Sequence, residues 1–506
     1  MKSWEIDEVR RAVKGKWMMR GEISRAFNGR ICTDSRTAAE GDLFIAIKGE
    51  WFDAHDFLGG AGGVIEREVA AILVHRELPA DLLLKAREKG VAVIGVEDTV
   101  MGLNRLAAAY RAGGGGGGFR AKVIAVGGSN GKTTTKRIIH SLLAERFGEA
   151  GTCVSPKSFN NNIGMPLTLL EVMPGHEFVV LEIGTNAPGE IAALAEVCRP
   201  DVAVITSIGL EHLEKLGDLE GVAREEASVS RHMNDGGVLV LPGDVPELMA
   251  ALKGSKLQRI FIDRGGADLV SGDSEDARLT LTSCQESLEG VKFSVNGRGE
   301  FFVPLLGEHN AVNAVMAIAV ARRIGLSDEV IAAGLLKVKG AEGRMEPVRI
   351  GEEAATIWVI HDAYNANPTS AEAGLKTFIR IAASGQRRVV VLADMLELGE
   401  AGDELHKEVG RQVAALEPDL FVAIGTKMAL AADAASQAKG RTRIIRFATT
   451  DAACEKISKL AEPGDAVYLK GSHGMRLEKL LESLRNGMHA ATSGVVPQRS
   501  AVVSVR

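Results

Sequence analysis

The 506-residue chain carries 60 lysine and arginine residues against 66 aspartate and glutamate residues, a net charge of −6. It has no basic block and only 4% aromatic residues, which argues against nucleic acid as a partner. No stretch approaches the ~18 consecutive apolar residues that a membrane-spanning helix needs. The first residues are charged throughout and form no apolar signal core, so we expect a cytoplasmic protein.

At ~150 residues per domain, the length predicts about three domains. The clearest linker is a run of six glycines, because such a run loses too much backbone entropy to form a helix or strand. The predicted segments are an amino-terminal domain at 1–112, the linker at 113–118, a central domain at 119–338, a carboxy-terminal domain at 339–486 and a flexible tail at 487–506. Five widely separated cysteines indicate neither a disulfide framework nor a zinc site.

In the central and carboxy-terminal segments, short apolar runs alternate with helical patterns, which is typical of an α/β fold with parallel sheets. A more β-like stretch near residues 277–305 interrupts this alternation. Such sheets bind ligands at the carboxyl ends of their strands, so polar residues at those ends are the candidates for chemistry.

The stretch "AVGGSNGKTTTKRII", residues 125–139, predicts a strand that turns sharply into a helix. Its glycines and the helix amino terminus suit a bound phosphate, and the side chains of Lys132 and Thr133 suit phosphate and Mg²⁺. The interval between glycine and lysine is one residue shorter than in the usual phosphate loop. The predicted nucleotide-binding residues of this loop are Gly128, Ser129, Asn130, Gly131, Lys132, Thr133 and Thr134.

Two other strand ends of the central segment carry ionisable side chains. Glu182 follows the strand "FVVLEIG", where a carboxylate is well placed to hold Mg²⁺, although a solvated strand end is the simpler interpretation. His212 follows "VAVITSI" and is a candidate because it shares an edge with Lys132 and Glu182. The amides of Asn161 and Asn162 either cap a helix or bind substrate. Those of Asn310 and Asn313 lie one helical turn apart and either read an adenine edge or bind a neighbouring loop. 

Polar clusters also follow three strands of the carboxy-terminal segment, and together they predict a rim that faces the substrate. The members are Asp362, Tyr364, Asn365 and Asn367 after the first strand, Asp394, Glu397 and Glu400 after the next, and Lys470, Ser472 and His473 after the last.

Several of these motifs together resemble the Mur ligases, the ATP-dependent amide-forming enzymes of peptidoglycan synthesis. The loop "GSNGKT" is that family's form of the phosphate loop, and "GEHNAVNAVMAIAVA" is similar to its adenine-contacting helix. "YNANPTS" and "DMLELGE" are similar to signatures of the members that add D-alanyl-D-alanine, and "TDSR" with "KGEWFDAHDF" looks like a UDP-sugar domain. The resemblance covers roughly residues 30–482.

The resemblance implies three domains: a small α/β amino-terminal UDP-binding domain, a central parallel sheet of the P-loop ATPase type and a Rossmann-like carboxy-terminal domain. It implies a monomer that binds ATP and Mg²⁺. Its substrates would be UDP-N-acetylmuramoyl-tripeptide and D-alanyl-D-alanine, joined through an acyl phosphate. Whether the third residue of the tripeptide is diaminopimelate or lysine stays open.

The resemblance also implies roles for individual residues. Lys132 and Mg²⁺ would offset the phosphate charge, with Thr133, Glu182 and His212 as metal ligands. Asn310, Asn313, Arg344 and Asp362 would meet the nucleotide, the last two from the third domain, so the site would be complete only when the domains close. Ser35, Arg36 and Lys48 would bind the UDP end, and Lys470 and Ser472 lie where a dipeptide would be held.

The chain departs from the family at two places. Ser207 stands where many members have asparagine, and Glu226 stands where the family has a carbamylated lysine that helps to hold a second Mg²⁺. Because both side chains end in a carboxylate, we expect Glu226 to take over the metal. The alternative is that Glu226 belongs to a solvated helix face.

Other functions stay open on the sequence alone. The chain could be a non-catalytic homologue that binds precursor and nucleotide, or the Mur ligase that adds the third amino acid. The diaminopimelate form of that enzyme carries an Asn-Pro-Arg signature, whereas this chain has Asn-Pro-Thr at 367–369. Folylpolyglutamate synthetase has no counterpart of the amino-terminal domain.

Overall fold

Three separate β-sheets organise the chain. The computed structural model describes residues 4–21, 27, 29–114, 118–265, 277–351, 356–383, 385–438 and 440–493. In this part of the chain no helix is long and apolar enough to cross a lipid bilayer. The predicted α/β class with three sheets is confirmed.

The amino-terminal sheet has five strands in the order β1-β5-β4-β3-β2, and all neighbours are parallel except β1 and β5. Its elements are α1 (Ile6–Ala12), β1 (Lys16–Met19), β2 (Ile31–Cys32), β3 (Leu43–Ile45), β4 (Ala71–Val74), α2 (Ala80–Glu88), β5 (Ala92–Gly95) and α3 (Thr99–Arg111). The predicted glycine linker at 113–118 falls partly outside the described residues.

Helix α3 fastens this first unit to the central one. The Tyr110 hydroxyl donates to the carbonyl of Val172 at 2.6 Å, and the Arg111 guanidinium pairs with Asp201 at 3.1 Å. A single apolar cluster runs from Trp4 through α3 into the central strands. The two units therefore share one continuous core, which fixes one against the other.

The central sheet has nine strands in the order β14-β13-β12-β11-β10-β9-β6-β8-β7. The strands are β6 (Lys122–Gly127), β7 (Thr152–Val154), β8 (Phe178–Glu182), β9 (Val202–Ile205), β10 (Val238–Pro242), β11 (Gln258–Arg264), β12 (Ala277–Glu286), β13 (Val291–Val295) and β14 (Arg298–Val303). The helices are α4 (Lys132–Phe147), α5 (Gly164–Glu171), α6 (Glu190–Cys198), α7 (Leu213–Leu216), α8 (Leu219–Ala227), α9 (Pro246–Ala251), α10 (Glu308–Ile324) and α11 (Asp328–Leu336).

Strand β6 lies between β8 and β9, so the order of the sheet reverses at this strand. Ligands of open parallel sheets bind beyond the carboxyl end of such a strand, and the phosphate loop follows β6 directly. The β-like stretch near 277–305 extends the same sheet, because β12 pairs parallel with β11 and carries the antiparallel β13 and β14.

The carboxy-terminal sheet has six strands in the order β15-β16-β20-β17-β18-β19, and only β15 is antiparallel to its neighbour. The strands are β15 (Glu346–Ile350), β16 (Ile357–His361), β17 (Arg388–Ala393), β18 (Leu420–Ile424), β19 (Arg443–Phe447) and β20 (Ala466–Lys470). The helices are α12 (Pro368–Ile381), α13 (Gly402–Leu416), α14 (Met428–Gln437), α15 (Thr450–Leu460) and α16 (Glu478–Ser493).

The prediction of a tail without helical structure from residue 487 was wrong for its first residues. Helix α16 continues to Ser493, and Leu477, Leu480, Leu484 and Met488 are all buried along one side. Their spacing of three and four residues is that of a helix face packed on a core. Residues 494–506 lie outside the described part of the chain.

Helices α13 and α14 pack so closely at Gly410 that a Cβ atom there would lie 2.1 Å from the carbonyl oxygen of Ala431. We expect Gly410→Ala to destabilise the carboxy-terminal unit by about 1–3 kcal/mol, because the helices must separate. Gly402→Ala is the matched control, since its Cβ would lie 3.5 Å from Leu398. Urea unfolding of both variants tests this, and equal stability of the two would contradict the close contact.

Candidate active site

The phosphate loop joins β6 to α4 and needs glycine at two positions. Gly128 has φ +108° and Gly131 has φ +87°, which side-chain-bearing residues rarely adopt. A Cβ at Gly128 would lie 2.4 Å from the Thr206 hydroxyl, and one at Gly131 would lie 2.5 Å from the Asn313 side-chain oxygen. The loop therefore packs against the end of β9 on one side and against α10 on the other.

Strand β9 and the residues after it hold the loop by hydrogen bonds. The backbone N–H of Ser129 donates to the carbonyl of Ser207 at 2.9 Å, and that of Asn130 donates to the Ser207 hydroxyl at 2.9 Å. Serine at this position, where many Mur ligases have asparagine, thus accepts a loop N–H directly. The ammonium of Lys132 lies over the loop and donates to the carbonyls of Gly128 at 2.6 Å and Ser129 at 3.2 Å.

The Glu182 carboxylate is buried where β8 ends and receives three hydrogen bonds. Oε2 accepts from the Thr133 hydroxyl at 3.0 Å and from the Lys136 ammonium at 2.9 Å, and Oε1 accepts from the Asn160 amide at 3.2 Å. The exposed fraction of the Glu182 side chain is 1% and that of Lys136 is 2%. This carboxylate therefore sits in an ion pair almost free of solvent.

Sequence reasoning missed Lys136. Its burial lowers the pKa of the ammonium, and the neighbouring Glu182 opposes that shift. The available signal was its position one helical turn after Lys132 on α4, because residues four apart lie on the same helix face.

The oxygen atoms at Glu182 fit a magnesium ion. The Thr133 hydroxyl and the Glu182 carboxylate converge, and oxygen donors of this kind are the ligands that Mg²⁺ prefers. Among the described residues, however, no group of three or more histidine, cysteine, aspartate or glutamate side chains could hold a metal ion. Glu182, His212 and Glu226 therefore do not form a joint ligand set in this structure.

Glu226 lies on α8 behind the phosphate loop and not on the wall of the cavity. Its Oε2 accepts the backbone N–H of Gly128 at 2.8 Å, while its Oε1 is buried and has no hydrogen-bond partner in the described part of the chain. Burial raises the pKa of Glu226 to about 7, although the positive charge of Lys132 opposes this. A glutamate is shorter than a carbamylated lysine, which explains why its carboxylate stops at the loop. The alternative of a solvated helix face for Glu226 is wrong, since 1% of the residue is exposed. The predicted metal role stays a prediction.

His212 bridges the central and carboxy-terminal units. Its Nδ1 lies 2.6 Å from the Glu397 carboxylate, and both residues have left-handed backbones with φ of +52° and +64°. The preceding residue, Glu211, is buried, and burial raises the pKa of its carboxyl group.

The carboxy-terminal wall of the site is built after β16. The Arg344 guanidinium lies 4.2 Å from the centre of the Tyr364 ring, a cation–π contact that orients both side chains. The hydroxyl of Tyr364 bonds to that of Ser158 in the central unit. The Asn367 side chain caps α12 and donates to the Asn130 side chain of the phosphate loop at 2.9 Å.

Asp362 and Lys470 form a buried pair at the base of this wall. The Lys470 ammonium donates to Asp362 Oδ2 at 2.8 Å and to the carbonyl of Asn365 at 3.0 Å. Asp362 also accepts from the hydroxyl of Tyr468 at 2.9 Å and from the N–H of Met345 at 3.1 Å. Asp362 and Lys470, both predicted to contact a ligand, thus form hydrogen bonds with other groups of the protein. These bonds hold the segment that carries Tyr364 and Asn365 in place.

Helix α10 supplies side-chain amides. The Asn313 amide donates to Asn310 at 3.0 Å, and the Asn310 amide donates to the carbonyl of Leu306 at 2.7 Å. His309 lies in the first turn of the same helix and lines the cavity, and sequence reasoning missed it. Burial lowers the pKa of His309 to about 4, so its ring is neutral near pH 7.

A cavity of roughly 430 Å³ opens between the central and carboxy-terminal units. It brings together most of the predicted site: Ser129, Asn130, Gly131, Lys132, Thr134, Asn161, Glu182, His212, Asn310, Asn313, Arg344, Asp362, Tyr364, Asn365 and Lys470. Gly128, Thr133 and Glu226 are not among the lining residues, and neither are Asn162 and Ser472. The hydroxyl oxygen of Ser472 is used by the N–H of Leu396 at 2.9 Å.

The three residues predicted for the UDP end lie in the amino-terminal unit. Ser35 and Arg36 follow β2, and Lys48 follows its parallel neighbour β3, so they share one sheet edge. The Arg36 guanidinium pairs with Asp34 at 2.7 Å, and 86% of its side chain is exposed.

The chain is similar to known proteins over most of its length. The family described as "Mur ligase middle domain" matches residues 126–321, and that described as "Mur ligase, glutamate ligase domain" matches residues 343–473. The UDP-N-acetylmuramoyl-tripeptide–D-alanyl-D-alanine ligase of Bacillus subtilis is 35% identical over 90% of this chain and 92% of its own length. The enzyme of the same name from Treponema pallidum is 32% identical over 95% and 98%.

Solved structures give the same result. A crystal structure of MurF from Acinetobacter baumannii superposes with a TM-score of 0.80 at 29% identity, covering 96% of this chain and 99% of its own. MurF ligase from Thermotoga maritima in complex with ADP has the same fold, with a TM-score of 0.74 at 24% identity, covering 91% and 98%. With two family matches that together span more than half of its residues, the chain belongs to the Mur ligase family.

Proposed function

We propose that this chain joins D-alanyl-D-alanine to UDP-N-acetylmuramoyl-tripeptide with ATP, giving the pentapeptide precursor of peptidoglycan. The observation that carries the proposal is the single cavity that combines the phosphate loop with the Tyr364–Asn367 segment. Similarity over nine tenths of the chain to ligases named for this reaction supports it.

The reaction has two bond-forming steps. An oxygen of the tripeptide carboxylate attacks the γ-phosphorus of ATP, and ADP leaves. The amine of D-alanyl-D-alanine then attacks the acyl carbon, loses a proton, and inorganic phosphate leaves as the amide forms. The first step brings a carboxylate to a triphosphate, and the second develops negative charge on the acyl oxygen and the leaving phosphate. The site must therefore supply positive charge and hydrogen-bond donors that are already in place.

The cavity holds groups that can meet this need. The amino terminus of α4, with Gly131, Lys132 and Thr134, borders the cavity and suits the phosphates, and the Lys132 ammonium adds a full charge. Arg344 approaches from the carboxy-terminal unit, and Asn310 and Asn313 present amides on α10. Thr133 and Glu182 would hold Mg²⁺, which when bound offsets phosphate charge and polarises the transferred phosphoryl group.

The bound substrate must extend from the amino-terminal unit, which holds its UDP end, to the phosphate loop, where its carboxylate reacts. Ser35, Arg36 and Lys48 bind the UDP end in this proposal, and Asn161, Tyr364 and Asn365 contact the peptide end. Lys470 acts through Asp362 and Asn365, and no contact with the dipeptide is assigned to it or to Ser472. We further propose that the protein acts as a monomer in the cytoplasm, where ATP and UDP-linked precursors are available.

The first test is phosphate release from ATP with Mg²⁺ and UDP-N-acetylmuramoyl-tripeptide, in both its diaminopimelate and lysine forms. We expect release to require D-alanyl-D-alanine and the product to have the mass of the pentapeptide. Extension of a UDP-dipeptide by a single amino acid would instead identify the ligase for the third residue. Binding of ATP without turnover of either tripeptide would identify a non-catalytic homologue.

Removal of the Lys132 ammonium removes the one lysine side chain that lies on the phosphate loop. We expect Lys132→Met to lower kcat by about 10²–10³-fold, the usual cost of a lost donor to developing charge. Lys122→Met is the control, because Lys122 is exposed at the start of β6, the strand that precedes the phosphate loop. Steady-state kinetics measure both, and a loss of less than tenfold in Lys132→Met would contradict the assigned role.

The position of Glu226 behind the loop predicts that it supports Gly128 and does not bind metal. We expect Glu226→Gln to keep the hydrogen bond to the Gly128 N–H and to leave the Mg²⁺ concentration for half-maximal activity within about twofold of wild type. A rise of tenfold or more in the Mg²⁺ requirement would show instead that Glu226 is a ligand, as the resemblance in sequence led us to expect.

The raised pKa of Glu226, about 7, predicts a pH-dependent stability. Below the unfolded pKa of about 4.3 both states are protonated, and this contribution to stability is complete. It is lost as the pH rises toward 7, because the unfolded state releases the proton first. Between pH 5 and 7 we expect wild type to lose about 2 kcal/mol relative to Glu226→Gln in urea unfolding without metal. A pH-independent difference would contradict the raised pKa.

A further inference from the structure

One loop contacts all three units of the molecule. Residues 155–162 connect β7 to α5, and the Asn104 amide of α3 donates to the carbonyl of Asn162 at 2.7 Å. The hydroxyl of Ser158 bonds to that of Tyr364 in the carboxy-terminal unit. Ser158, Asn160 and Asn161 also line the cavity. The loop thus lies between the amino-terminal unit and the phosphate loop.

Lys136 attaches this loop to helix α4. Its ammonium donates to the carbonyl of Lys157 and to Oε2 of Glu182. Lys157 has φ +46°, in the left-handed region that is unfavourable for a residue with a side chain. A backbone in that state persists only where its surroundings fix it, and the Lys136 ammonium is a contact that does so.

Two further contacts tie the loop to the same strand end. The Ser155 hydroxyl accepts the backbone N–H of Glu182 at 3.1 Å, and the Asn160 amide reaches Glu182 Oε1 at 3.2 Å. Glu182 is therefore the common point of the phosphate-loop helix, through Thr133 and Lys136, and of the loop 155–162.

Stability alone does not account for a lysine at this position. A buried ion pair is often no more stabilising than apolar side chains of the same volume, because both charges lose their hydration. The ammonium, in contrast to an apolar side chain, links two segments, because it donates hydrogen bonds to one acceptor on each of them. An apolar side chain would fill the space and leave the loop unattached.

We propose that Lys136 is a positioning residue that fixes the loop 155–162 against Glu182 and so aligns the acceptor carboxylate of the peptide substrate with the bound nucleotide. The identity of that acceptor rests on the proposed function above. Lys136 itself contacts neither substrate nor nucleotide in this proposal, and it acts through Lys157 and Glu182.

The test compares Lys136→Met, which keeps the volume and removes the donor, with the exposed control Lys122→Met. We expect the KM for UDP-N-acetylmuramoyl-tripeptide to rise about tenfold or more, the cost of a lost hydrogen bond from a charged group. The affinity for ADP should stay within about twofold of wild type. It is measured by calorimetry without Mg²⁺, because Lys136 contacts Glu182, the proposed Mg²⁺ ligand. Hydrogen exchange of amides 157–162 in the substrate-free protein should become faster, while that of the central strands is unchanged.

A purely structural role predicts a different pattern, in which the amount of active enzyme falls and both affinities are unchanged. That result, or equal loss of nucleotide and peptide affinity, or unchanged exchange of the loop, would overturn the proposal. Lys136→Gln is the second variant, because its amide can serve one of the two acceptors but not both, and the same criteria apply with a smaller rise in KM. Failure of both variants to fold would also overturn it.

The hydrogen-exchange measurement needs no substrate, so it separates this inference from the proposed function. Wild-type protein that forms no pentapeptide, with loop exchange still dependent on Lys136, would refute the reaction and keep the positioning role. Pentapeptide formation with exchange independent of Lys136 would do the reverse.

Discussion

The arrangement of the site depends on one buried carboxylate. Glu182 ends a central strand with 1% of its side chain exposed, so its charge has to be balanced inside the protein. Lys136, Thr133 and Asn160 supply the balance, and each comes from a segment that also borders the cavity. The carboxylate therefore sets how the helix after the phosphate loop sits relative to the loop 155–162. A cation that binds at Glu182 would meet side chains whose positions these hydrogen bonds already fix.

Much of this could be predicted from the sequence, because the governing signals are local. The phosphate loop follows from its glycines, and the structure requires glycine at Gly128 and Gly131 through positive φ angles and close contacts. The polar clusters at strand ends were found because parallel strands place their carboxyl ends at one edge. Lys136 and His309 were missed. For Lys136 the sequence offered its position one turn after Lys132, but its partners Glu182 and Lys157 are distant in sequence and only the structure identifies them.

The errors have physical causes of the same kind. Helix α16 was ended too early because polar residues near Gly487 hid an apolar spacing that continues to Met488. For Glu226 the sequence identified the carboxylate but not which groups it contacts. In the structure the carboxylate accepts a hydrogen bond from the Gly128 N–H. Lys470 and Ser472 were correctly placed at a strand end, yet their polar atoms are used by neighbouring segments. A sequence pattern identifies the residues at an edge of a sheet. The hydrogen bonds in the structure then decide which of their side chains remain available to a ligand.

The three units are not attached to one another in the same way. The amino-terminal and central units share an apolar cluster. Among the described residues of the central unit, Leu306 alone belongs to one of the two apolar clusters of the carboxy-terminal unit. The contacts described across the cavity are polar: Asn130 with Asn367, Ser158 with Tyr364, and His212 with Glu397. Partly exposed polar pairs contribute only ~0–1 kcal/mol each, far less than a shared core. Ion pairs of Arg380 with Glu286 and Glu308 join the same two units away from the cavity. An interface of this polar character is typical of units that move relative to each other, so the wall that bears Arg344 and Tyr364 can leave and return as substrates enter and products depart.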